Sequence, residues 1–85
     1  MKVLVNEVEK EGFMAFMGKR ITLFCAVYIY TGKLVGVNET CIKLEDPSIV
    51  YETGDFKTKT WKDAQSLPNE IYVQTAMVEA FGEIK

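Results

Sequence analysis

The chain has 85 residues, 48% of them apolar, and a formal net charge of −2. That composition predicts a folded globular module and gives no general attraction to nucleic acid or anionic membrane. A single domain this small buries only roughly 60–65% of the surface its unfolded form exposes, so a further support such as self-association is expected.

The N-terminus, MKVLVNEVEK, turns acidic before any long apolar run, so no secretory leader is expected and the expected location is the cytoplasm. The most apolar run, ITLFCAVYIY, is about half the length of a membrane helix. From residue 6 to 17 the spacing predicts a helix. Asn6 stands as its cap, Glu9 sits at the capping-box position, and Gly18 follows its apolar end, FMAFM. Gly12 in its interior works against it.

RITLFCAVYIY is rich in β-branched and aromatic residues and reads as strand, with a turn near Cys25 and Ala26. TGKLVGVNETCIKLED reads as two strands joined across NET. Glycine weakens a strand interior unless the chain bends or another backbone approaches closely, so Gly32 and Gly36 predict sharp curvature. Pro47 is expected to end the second of these strands. SIVYETGDFKTKT then predicts a hairpin turning at TGD and returning through Phe56 and Thr58, and WKDAQSLPN a connector with one helical turn. EIYVQTAMVEAF closes the chain with two short strands, 71–75 and 77–81, jointed at Thr75 and Ala76.

A helix followed by about five short strands is too few for two sheets and suits a small, strongly bent barrel. At this point the residues resemble a known pattern. GKRITLFCAVYIYTGKLVGVNETCIKLED is similar to the first motif of the Sm and Sm-like proteins, a family that includes the bacterial Sm-like RNA chaperone. The matching positions are Gly32, Leu34, Asn38, Ile42, Leu44 and Asp46, and IYVQTAMVEAF resembles the second motif. The small size is similar to phage-encoded or environmental members.

The resemblance implies one domain over residues 1–85: an N-terminal α-helix at 6–17, the first motif at 19–46, an inserted hairpin and connector at 48–69, and the second motif at 70–82. It implies a five-stranded bent barrel whose copies close into a ring of about five to seven by pairing the last two strands, removing exposed edges. Ile71, Tyr72, Val73, Thr75, Met77, Val78 and Phe81 would then form the subunit interface.

The family's RNA-contacting loops fall on Asn38, Glu39, Thr40 and Cys41, and on Gln74, Thr75 and Ala76. The usual acidic residue is Asn38 here, the base-stacking residue is replaced by Thr40, and the arginine–glycine of the second loop by Gln74–Thr75. A stacked base contributes roughly 1–3 kcal/mol, so uridine recognition is expected to be weak.

FKTKTWK sets Lys57, Lys59 and Lys62 beside Phe56 and Trp61, the composition of a single-strand binding surface. The plainer reading is a solvated arm whose lysines discourage edge pairing. Tyr28, Tyr30 and Tyr72 read as packing residues. With no histidine, no nucleophile elbow and no phosphate-cradling loop, no enzyme is expected. Cys25 and Cys41 read as buried free thiols, and no cofactor, metal, membrane or small-molecule substrate is inferred. The expected partners are further copies of the chain and single-stranded RNA. The alternatives are a structural or protein-interaction ring without RNA binding, and an unrelated monomeric oligonucleotide-binding barrel.

Overall fold

The computed structural model describes residues 4–6 and 11–85. Among the described residues it holds six strands: β1 (Arg20–Cys25), β2 (Ile29–Val37), β3 (Cys41–Glu52), β4 (Asp63–Ser66), β5 (Ile71–Gln74) and β6 (Val78–Gly82). All pairings are antiparallel, in the order β4-β3-β2-β1-β6, and β5 pairs with β3 beside β4.

Alternation along the strands builds the core. Ile21 and Leu23 of β1, Leu34 of β2, Ile42 and Leu44 of β3 and Val73 of β5 are buried together, as a period of two on a half-covered sheet requires. On the other face of β1, Thr22 lies opposite Thr31 in register and both are buried. The Thr31 hydroxyl donates to the Ile21 carbonyl at 2.9 Å, whereas Thr22 Oγ1 has no hydrogen-bond partner among the described residues.

The glycine pair of β2 marks two breaks in its ladder with β3. Registers shift between Thr31 and Lys33 and again between Leu34 and Gly36. At the first break the β3 backbone comes close: a Cβ on Gly32 would lie 3.0 Å from the Glu45 carbonyl oxygen and 3.2 Å from Pro47 Cα. Gly36 has only the Lys43 Cβ nearby, at 3.7 Å. Curvature is common to both positions, and close approach belongs to Gly32.

Pro47 does not end its strand. β3 runs on to Glu52, because the ladder passes from Glu45 to Ser48 without pairing Asp46 or Pro47. No donor is required of Pro47 at such a bulge. Asp46 takes φ 46 there, and the Pro47 carbonyl accepts from the Leu67 N–H at 2.8 Å. The second half of β3 then pairs with β4, joining Glu52 to Asp63, so the return strand is 63–66 and not Phe56–Thr58. The connector expected to carry a helical turn is thus strand β4.

The expected α-helix at 6–17 is corrected over its described part, its residues 7–10 lying outside the described residues. Gly12–Phe16 forms a 3₁₀ turn, and Gly12 has φ 62, a left-handed conformation that an α-helix does not admit. Phe13 of this turn stacks on Phe81 of β6 with centroids 3.9 Å apart, and Phe16 meets the same ring edge-on. Gly18 does end the segment as expected for a terminal glycine, at φ +82, its N–H donating to the Leu34 carbonyl at 2.7 Å.

A closed barrel is also corrected. β5 and β6 follow one another across a 3₁₀ turn at Thr75–Met77, but no ladder joins them. β5 hydrogen-bonds to β3 and β6 to β1, so the sheet is not closed into a barrel.

Candidate functional site

The two loops singled out in the sequence meet. Cys41 pairs with Gln74 at the end of the β3–β5 ladder, the Thr75 N–H donates to the Thr40 carbonyl at 3.0 Å, and the Thr75 hydroxyl donates to the Glu39 carbonyl at 2.8 Å. Asn38 holds the first loop from within. Its Oδ1 accepts from the Thr40 N–H at 2.8 Å, the Thr40 hydroxyl at 3.1 Å and the Cys41 N–H at 2.9 Å. This is the side-chain mimic of a turn that asparagine and aspartate provide. Glu39, Thr40, Cys41, Gln74, Thr75 and Ala76 line one shallow cavity with Tyr72. Asn38 and Thr75 thus spend side-chain hydrogen-bonding capacity on the loops themselves.

The lysine arm divides. Lys57 is not among the lining of the cleft of about 510 Å³ that Lys59, Trp61 and Lys62 form, which also receives Arg20 from the start of β1 and Lys85 from the far end of the chain. The Lys85 ammonium donates to the Thr53 and Asp55 carbonyls at 2.7 and 2.9 Å, and stands 4.7 Å from the Trp61 ring and 5.4 Å from the Phe56 ring. Phe56 meets Trp61 edge-on and reaches back to Phe24. Sequence reasoning missed both Arg20 and Lys85. Nothing local marks either, since the cleft forms only when β1, β4 and the C-terminal residues come together.

A third feature is an apolar groove of about 500 Å³ beside β5, whose lining includes Cys25, Val27, Tyr28, Ile71, Tyr72 and Met77. Val27 is 71% exposed and Tyr72 64%. Of the residues expected at a subunit interface, Ile71, Tyr72, Val73 and Met77 line this groove, Val73 from within the core cluster. Phe81 is covered by Phe13 and Phe16. Val78 also packs against the core, and Thr75 holds the loop described above.

Burial pushes the Cys25 thiol above its ordinary value, with Glu79 adding to the rise. Burial likewise raises Tyr30, with contributions from Cys25, Tyr28 and Tyr51. Lys43 is raised by Glu70, whose carboxylate lies 3.7 Å away, and then by Tyr72. Cys25 and Cys41 are both free and half-buried, where full burial was expected. Among the described residues no three His, Cys, Asp or Glu side chains gather as a metal site, and no helix is long and apolar enough to cross a membrane.

The chain matches no family model, no curated protein and no solved structure.

Proposed function

We propose that the chain is a non-catalytic Sm-like module that assembles into a closed ring of about five to seven copies and binds single-stranded RNA. The observation that carries this reading is the pair β5 and β6. They are consecutive, each is hydrogen-bonded on one side only, and an exposed apolar groove runs beside β5. Unpaired strand edges next to apolar surface are liabilities in a lone protomer and are removed when copies pair edge to edge. The two breaks in the β2–β3 ladder at Gly32 and Gly36 further support the Sm-like reading.

RNA binding draws support from the meeting of the two loops around one cavity and from the cations grouped beside Trp61. A ring repeats each weak contact in every copy, which compensates for the missing stacking residue at Thr40. Fluorescence anisotropy with short oligo-U and oligo-A at low salt tests it. Binding at micromolar ring concentration is expected, and no binding at high micromolar concentration contradicts it.

A second reading is a structural or protein-interaction ring. It is favoured by the internal use of the Asn38 Oδ1 and the Thr75 hydroxyl, which leaves fewer polar groups to read a base. Under that reading the ring forms and the oligonucleotides stay free.

A further inference from the structure

The chain as a whole is acidic, with 12 carboxylate residues against 10 cationic ones. Its surface charge is not evenly mixed. The cleft between the start of β1, strand β4 and the 53–62 loop gathers Arg20, Lys59, Lys62 and Lys85 against a single carboxylate, Asp63. The hydroxyl residues Thr31, Ser48, Thr60 and Ser66, with Ala64 and the only tryptophan, Trp61, complete the lining.

The four cations are not equivalent. Lys62 lies 3.3 Å from Glu52 and is partly neutralised. Lys85 is fixed in place by two carbonyls and two aromatic rings, none of which cancels its charge. Arg20 and Lys59 form no ion pair among the described residues. The residue paired with Arg20 across the ladder is Lys33, which pairs on its other side with Glu45. An anion in the cleft would receive the planar donors of Arg20.

We propose that this cleft is a phosphate-binding site that holds the backbone of a single-stranded RNA, with Arg20, Lys59 and Lys85 as its cations and Trp61 beside it as a surface for a base. The proposal rests on the RNA-binding reading above and adds to it a locus away from the 38–41 and 74–76 loops. It also separates Lys59 from Lys57, which the sequence places in one arm and the fold does not place in one cleft. Lys85 has two effects on this site. It supplies a positioned charge, and it covers one region of the Trp61 ring, so a stacking base uses the remaining surface or displaces the ammonium.

The simpler account is that the lysines of the 53–62 loop only keep the free edge of β4 from pairing with other sheets. That account needs neither Arg20 nor Lys85, and it treats Lys57 and Lys59 alike.

The experiment titrates the full chain with a fluorescein-labelled deca-uridylate at low salt, reading anisotropy and Trp61 emission together. The wild type is expected to bind with a change in Trp61 emission. Arg20→Glu with Lys59→Glu weakens binding by about tenfold or more, and the milder Arg20→Gln with Lys59→Gln weakens it and flattens the dependence of log affinity on log salt by about two phosphate contacts. Lys57→Glu stays within about threefold of the wild type, as expected for a single charge outside the site. Circular dichroism melts confirm that each variant is folded, and the glutamine pair serves if the glutamate pair is not. Unchanged affinity in the glutamine pair, or an equal loss in Lys57→Glu, overturns the cleft while leaving RNA binding in place. A wild type that does not bind overturns the RNA reading itself, and the cleft with it.

Discussion

The hydroxyl of Thr75 donates to the carbonyl of Glu39 at 2.8 Å across 36 positions of sequence, tying the turn after β5 to the turn between β2 and β3. Asn38 completes the tie by accepting three hydrogen bonds on one oxygen. A carboxylate oxygen would accept the same three, so an acidic residue and Asn38 serve the turn in the same way. Asn38→Asp is expected to keep stability within about 0.5 kcal/mol, whereas Asn38→Ala costs about 0.5–1.5 kcal/mol by removing the acceptor of the turn's exposed hydrogen bonds. Urea denaturation of the two variants checks this, and equal losses in both would contradict it.

Gly32 and Gly36 predict opposite tolerances. A methyl group on Gly32 meets the Glu45 carbonyl at 3.0 Å, Leu44 Cβ at 3.1 Å and Pro47 Cα at 3.2 Å, mostly atoms that cannot rotate away. Gly32→Ala is expected to destabilise by about 1–3 kcal/mol. Gly36→Ala meets nothing closer than 3.7 Å and should change stability far less. Chemical denaturation midpoints of the pair decide it.

These glycines were legible because curvature leaves a local mark. So were the alternations of Ile21 with Leu23 and of Ile42 with Leu44, and the joint at Thr75, where apolar period and turn residues agree. What escaped was set at longer range. β4 reads Asp-Ala-Gln-Ser, with no β-branched or aromatic residue and every side chain exposed; only its backbone pairing with β3 makes it a strand. Pro47 was misread because a bulge facing Gly32 removes the need for its missing donor. The helix expected at 6–17 gave way, over its described part, to a turn with Gly12 left-handed and Phe13 held on Phe81. In the candidate site the loops could be named from sequence, while Arg20 and Lys85 could not, since neither belongs to a local pattern.

Thr22 is fully buried and its hydroxyl has no partner among the described residues. A buried hydroxyl left unsatisfied costs about 1–3 kcal/mol. Thr22→Val keeps the shape and removes the polar atom, so it is expected to raise the melting temperature. A lower melting temperature would show that the hydroxyl is satisfied by water.

The raised thiol of Cys25, hydroxyl of Tyr30 and ammonium of Lys43 all hold their protons more tightly in the folded chain. Their contribution is therefore whole below the unfolded values, which begin near 9 for the thiol, and is lost as pH rises through the folded ones. Thermal melts should show stability falling from about pH 9 upward, by a small amount because Lys43 is solvated and screened. Stability that rises toward pH 10 would contradict the assignment.

Pairing of β5 and β6 between copies is the claim on which the functional reading stands, and the mass of the particle in solution tests it most directly. Light scattering on a sizing column should give about five to seven times the 9.7 kDa of one chain, with Cys25 in the groove protected from alkylation. A 9.7 kDa particle at every concentration, with Cys25 open to reagent, would contradict it.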